Sequence, residues 1–291
     1  MATKEHTSKG IVLMLACAAQ FMVVLDIAIV NVALPSIQRD LRIGQSTLQW
    51  IVIAYGLMLG GFLLLGGRMA DLVGRRRMLL TGLTLFCSAS LLAGVAGSAG
   101  LLIGARALQG FGAALVAPAA LSILAVTFAE GTERNRALGI FGAVTGISAS
   151  VGVIASGLLT AGPGWRWVFF INVPVGVVLI AMAAVFLAVD ARDRRRSERF
   201  DIAGAVTVTG GLLLLVYAFN RGAEFGWGSG PTLGLFAASV VMLSAFVRVE
   251  ARSGHRWCPA RRCATVRWWR RTSRRSSRSG RSSPSSSSVR C

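Results

Sequence analysis

Long apolar runs recur along most of this chain, and nothing else in the sequence limits its possible folds so sharply. A run of about 18 hydrophobic residues can cross a bilayer as a helix. Eight such spans can be read, at 11–36, 47–67, 78–98, 101–128, 136–161, 167–189, 202–219 and 232–248. They are apolar nearly all round, whereas the helices of a soluble bundle carry an apolar stripe. Helix is the expected conformation because it satisfies its backbone groups internally where water is absent. The first run is too long for a secretory signal core and lacks a clear cleavage site. The expectation is an all-α, multi-pass membrane protein. Composition agrees: 54% of the 291 residues are hydrophobic and 15% charged, against about a quarter charged in soluble domains.

The net charge of +19 divides unevenly. Residues 251–291 hold twelve of the 31 basic residues and none of the 12 acidic ones, which leaves 19 against 12, or +7, for residues 1–250. Orientation follows from the basic residues of the loops. With the N-terminus in the cytoplasm, inside segments carry Lys4, Lys9, Arg68, Arg75, Arg76, Arg77, Arg134, Arg136, Arg192, Arg194, Arg195, Arg196 and Arg199, while outside loops carry Arg39, Arg42, Arg166 and Arg221. An N-terminus inside the cell, in a plasma (inner) membrane, is therefore expected. Short links join spans one to six, and a basic stretch, "DARDRRRSERFD", separates them from the last two. The organisation read from this is a cytoplasmic N-terminus (1–10), a six-helix bundle (11–189), a basic linker (190–201), two further membrane helices (202–248) and a tail (251–291).

Two ionisable residues stand inside apolar spans. Asp26 and Arg106 would each cost at least about 2.5–3.5 kcal/mol at a bilayer centre, a cost offset by a partner or a water-filled cavity. Asp26 can carry a proton. Arg106 cannot release one, but can set the charge balance around it. An ion pair that only holds helices together is the competing reading. Asn31 and Gln109, on the same helices, either line a polar path or hydrogen-bond between helices. Small residues on the fifth span, among them Gly146, Gly152 and Gly157, suit close helix packing. Cys17 and Cys87 lie in apolar runs and read as small buried hydrophobes. Trp165, Trp167 and Trp227, at span ends, read as interfacial anchors. No metal-ligating or nucleotide-binding pattern is present, so no cofactor and no enzymatic chemistry are expected.

"GRMADLVGRRR" (67–77) packs arginines, an aspartate and two glycines between the second and third spans. Gly67 and Gly74 would permit a tight turn, and Asp71 lies within reach of several arginines. The arginines could equally anchor the loop on anionic head groups. The stretch resembles the signature loop of the major facilitator superfamily, between that family's second and third helices. The resemblance implies that Asp71, with Arg75 and Arg76, latches the cytoplasmic side of two six-helix bundles. "LDIAIVNVALPSI" (25–37), "RALQGFGAALVAPAALSI" (106–123) and "WRWVFFINVPVG" (165–176) resemble motifs of the fourteen-helix drug:proton antiporters of that superfamily. The six-plus-two division fits that branch, which carries two extra helices between its bundles. The fifth span departs from the antiporter pattern: "SVGVIASG" lacks a proline after Gly152, where Val153 stands.

From about Gly254 the text changes character. "GHRWCPARRCATVRWWRRTSRRSSRSGRSSPSSSSVRC" could bind nucleic acid or anionic lipid. It reads more readily as a GC-rich gene translated out of frame. Either way, disorder is expected, because the stretch cannot bury a core. The resemblance implies a further bundle beyond this point, so a truncated transporter is expected. Taken together, the resemblance implies proton-coupled export of amphipathic organic compounds, with protons and membrane lipids as the other partners and no nucleic acid. An uptake carrier and a non-transporting membrane fragment with a basic interaction tail are the alternatives.

Overall fold

A computed structural model of the chain describes residues 2–187 and 202–252. It comprises two compact units, Met1–Leu243 and Ser244–Cys291. The described part of the second is the end of the last helix, residues 244–252. The basic linker read from the sequence, and the tail beyond residue 252, lie outside the described residues.

All regular structure among the described residues is helical: α1 (Ala2–Leu41), α2 (Gln45–Val73), α3 (Arg75–Gly94), α4 (Ala99–Thr127), α5 (Thr132–Ala161), α6 (Trp167–Phe170), α7 (Asn172–Phe186), α8 (Ile202–Phe225) and α9 (Gly230–Arg252). Among the described residues, seven stretches are long and apolar enough to cross a membrane: Lys9–Leu41, Gln45–Val73, Arg75–Gly94, Ala99–Thr127, Thr132–Ala161, Trp167–Phe186 and Gly230–Arg248. The seventh span read from the sequence corresponds to α8, which is 24 residues long and has a shorter apolar stretch, Thr207–Phe219, among its described residues.

The punctuation between helices has local causes. α2 and α3 meet at the single residue Gly74, whose φ of 113° and ψ of 134° lie where a side chain would clash. Ser98 caps α4 by accepting a hydrogen bond from the Leu101 backbone N–H at 3.4 Å, satisfying one of the donors a helix leaves open at its start. α6 and α7 form one apolar span broken at Ile171. Pro174, without an N–H, cannot bond the Phe170 carbonyl four residues back.

α4 is the hub, packing most extensively against α2 and α3, while α1 packs mainly against α5. Glycines on α2 and α4 set these separations. A Cβ on Gly110 would collide with the Tyr55 carbonyl on α2, and one on Gly66 with the Ala114 carbonyl on α4. A Cβ on Gly112 would lie 2.9 Å from the Phe86 backbone nitrogen on α3. The sequence pointed instead to the fifth span for close packing, and there only Gly152 plays that part: a Cβ on it would stand 2.6 Å from that of Ala28. Gly146 and Gly157 face open space, with nothing within 4 Å. A small-residue pattern identifies a surface that can be approached, not the helix that approaches it.

Two apolar clusters fill the interior. One gathers Leu15, Met22, Leu79, Phe86, Leu124 and Leu179; the other gathers Ile29, Ile37, Ile51, Leu102 and Phe169. Along α3, α4 and the α6–α7 pair the boundary between them falls on a polar residue, Ser90, Arg106 with Gln109, and Asn172 respectively, and along α1 it falls beside one, Asp26. The core is therefore two apolar masses with a thin polar layer between.

Candidate functional site

The polar layer is closed to the surface. Asp26, Ser90 and Gln109 are 0% exposed, and Arg106 and Asn172 1%. Its centre is the ion pair of Arg106 Nη1 with Asp26 Oδ2 at 2.5 Å. The same Nη1 donates to Gln109 Oε1 at 3.0 Å, and Arg106 Nε donates to the Ile51 carbonyl on α2 at 3.3 Å. The guanidinium lies 4.2 Å from the centroid of the Tyr55 ring, a cation–π contact worth about 2 kcal/mol when desolvated. The Tyr55 hydroxyl donates to the Val23 carbonyl at 3.3 Å.

The other carboxylate oxygen, Asp26 Oδ1, accepts from Gln109 Nε2 at 3.2 Å and from Asn172 Nδ2 at 2.9 Å. Gln109 Nε2 also donates to Ser90 Oγ at 2.7 Å. Five helices thus contribute to one charge: α1 holds the acid, α2 the Ile51 carbonyl and Tyr55, α3 Ser90, α4 Arg106 and Gln109, and α7 Asn172. Such a pair survives burial because the hydrogen bonds around it replace lost hydration. Arg106 stands seven residues after Ala99, the first residue of α4, about 10 Å from that helix end at 1.5 Å per residue. The layer therefore lies nearer the end of the bundle that carries the α3–α4 and α5–α6 connections.

Of the residues singled out from sequence, Asp26, Arg106 and Gln109 come together here. Asn31 does not; it is exposed on α1, five residues from Asp26 and on a different face. Asn172, Ser90 and Tyr55 were not anticipated. Their only signal is a polar group inside an apolar run, and for Asn172 that signal is weak because it sits near the start of its span.

The "GRMADLVGRRR" stretch is not a loop. α2 continues to Val73, so Gly67 and Asp71 are helical and only Gly74 makes the turn. Gly67 takes no part in the turn; a Cβ there would meet Pro118 of α4 at an ordinary 3.7 Å. Asp71 Oδ1 pairs with Arg75 Nη2 at 3.4 Å, half exposed. Arg75 Nε also donates to Ser122 Oγ on α4 at 2.6 Å. Arg76 Nη2 donates to the Ala184 carbonyl at 2.6 Å and its Nε to that of Ala183 at 3.5 Å, placing a cation on the negative end of α7. The two arginines therefore brace the start of α3 against α4 and α7. Nearby, Lys9 pairs with Glu133 at 3.1 Å and Arg134 with Glu130 at 3.2 Å.

At the other end, Asp40 Oδ2 accepts from Trp165 Nε1 at 3.0 Å and from Arg166 Nη1 at 2.8 Å, and Arg166 Nη2 reaches the Ala96 carbonyl at 3.3 Å. Trp165 is thus buried and hydrogen-bonded rather than a free interfacial anchor, whereas Trp167 and Trp227 are exposed. Cys17 and Cys87 are buried free thiols. Among the described residues no three His, Cys, Asp or Glu side chains gather as a metal site would need.

Residues 16–257 match the family model described as Major Facilitator Superfamily. The chain is 48% identical to the puromycin resistance protein pur8 of Streptomyces alboniger over 84% of its own length and 47% of that protein's. It is 42% identical to the cephamycin export protein CmcT of Amycolatopsis lactamdurans, over 86% of its own length and 51% of that protein's. It thus spans about half the length of these relatives. A crystal structure of the peptide transporter POT shares the fold at a TM-score of 0.59, with 16% identity over 83% of this chain and 52% of the other.

Proposed function

The chain belongs to the Major Facilitator Superfamily, a family of transporters rather than enzymes, and on that premise we propose that it serves proton-coupled export of amphipathic organic compounds, antibiotics among them. Asp26 takes up and releases the driving proton, and Arg106 sets the charge balance around it. The observation that carries this reading is the fully buried ion pair of Asp26 and Arg106, ringed by Gln109, Asn172 and Ser90. The names of its relatives, puromycin resistance and cephamycin export, support the choice of cargo and direction.

The chain is a multi-pass membrane protein. The basic residues of its loops support a cytoplasmic N-terminus in the plasma membrane. In that orientation the polar layer stands nearer the outer face, the side from which protons enter down their gradient. Asp71, Arg75 and Arg76 then lie at the cytoplasmic end, where they gate access to the site. Residues 11–189 form the transport bundle, 190–201 a basic linker, and 202–248 two accessory helices.

The test is puromycin movement in inside-out vesicles containing this chain. An interior-acid gradient should drive accumulation, and Asp26→Asn should abolish it. Accumulation driven by the opposite gradient would identify an uptake carrier. No gradient-dependent movement in either sense would leave a non-transporting membrane protein.

A further inference from the structure

We propose that Asn172 is the positioning residue that answers the proton on Asp26, turning its side-chain amide from hydrogen-bond donor to acceptor. This rests on the reading that Asp26 takes up a proton.

The two oxygens of the carboxylate have different surroundings. Oδ2 faces the guanidinium of Arg106, a side chain with no acceptor and no proton to exchange. A proton arriving from water therefore settles on Oδ1, the oxygen that faces two amides. Once protonated, Oδ1 carries an O–H that needs an acceptor, because a buried donor left unmatched costs about 1–3 kcal/mol. Gln109 cannot serve. Its Oε1 already accepts from Arg106 and its Nε2 is committed to Ser90, so its amide is held at both ends. Asn172 differs: its Nδ2 donates to Asp26, while its Oδ1 is buried with no hydrogen-bond partner among the described residues.

The terminal torsion of asparagine is broad and roughly two-fold. Turning the amide exchanges Nδ2 for Oδ1 at the same place. The bond from Nδ2–H to the Asp26 carboxylate breaks, and one from the Asp26 O–H to Asn172 Oδ1 forms. With Asp26 ionised the opposite orientation would set oxygen against carboxylate oxygen, so each charge state selects one rotamer.

The exchange also changes the grip of α7 on α1. Hydrogen bonds to an ionised partner are roughly twice as strong as neutral ones, so protonation loosens the tie between Asn172 and Asp26. The other groups around the pair stay in place in either state. From α2 they are Tyr55 against Arg106, from α3 Ser90 and Cys87, the latter with its Sγ 3.9 Å from the Asn172 carbonyl, and from α5 the uncharged Gly152 against Leu25 and Ala28. Asn172 is the one amide here with a free acceptor.

The experiment is infrared difference spectroscopy of the whole chain in lipid nanodiscs, stepped from alkaline to acid pH. The Asp26 carboxylic band is identified by its loss in Asp26→Asn. In the parent that band should lie at the low frequency of a carboxyl donating a hydrogen bond. In Asn172→Leu it should shift up to the position of a free carboxyl, and Asn172→Ser, whose hydroxyl can accept, should return part of the shift. If Asn172→Leu folds and leaves the band unmoved, the inference falls and the proton-uptake reading stands. If Asn172→Leu does not fold, the parent spectrum still decides, since a band at the free-carboxyl position overturns the inference. If no Asp26 band appears at any pH, both fall.

Discussion

Arg106→Gln removes the only cation within reach of Asp26 among the described residues and leaves a carboxylate that is 0% exposed. Breaking one side of a buried ion pair costs about 3–5 kcal/mol, because the remaining charge loses its partner without regaining water. Two features place this site in that range. Gln109 and Asn172 keep donating to Asp26 Oδ1 and hold the loss down. The stacking on Tyr55 and the bond to the Ile51 carbonyl disappear with the guanidinium and add to it. Asp26→Asn should cost less, since it removes the charge together with the need to solvate it, although Arg106 is then left unpaired. The double substitution should cost clearly less than the sum of the singles, with a coupling of about 2 kcal/mol, inside the range of about 0.5–3 kcal/mol for contacting residues. Unfolding in detergent can be followed by the reaction of a thiol-specific dye with Cys17 and Cys87, both buried and free, after Cys258, Cys263 and Cys291 are changed to serine. Singles that add to within about 0.5 kcal/mol, as independent sites do, would refute the ion pair as the centre of the layer.

Other outcomes follow from the same geometry. Gly110→Val should destabilise by about 1–3 kcal/mol, the usual cost of overpacking, because its side chain would enter the Tyr55 carbonyl, while Gly146→Ala, facing open space, should stay within about 0.5 kcal/mol of the parent; the same thiol assay ranks them. Gly74→Ala should cost about 1–3 kcal/mol from its backbone conformation alone, with trypsin cleavage at the neighbouring arginines rising as the α2–α3 turn loosens. Arg166→Lys keeps the charge at Asp40 but cannot also reach the Ala96 carbonyl, and the exposure of this pair keeps the loss of stability small; a shift in Trp165 fluorescence should report it.

Which parts could be read without coordinates depended on how local their causes are. Helicity, the approximate limits of most apolar spans, and the turn at Gly74 all follow from a few neighbouring residues, because a bilayer demands internally bonded backbone and a left-handed turn demands glycine. Asp26 and Arg106 could be picked out because an ionised group in an apolar run is costly wherever the chain goes. Their pairing could not, being 80 residues apart in sequence. The same limit applied to Asn172, 146 residues from Asp26, which looked like an unremarkable polar residue near a span end. It applied also to the small residues of the fifth span, which mark a face open to approach without naming a partner. The apolar spans and their charges were written in the chain; which five helices meet around one carboxylate was decided by packing, since a buried charge is tolerated only where side chains from distant segments converge to replace its water.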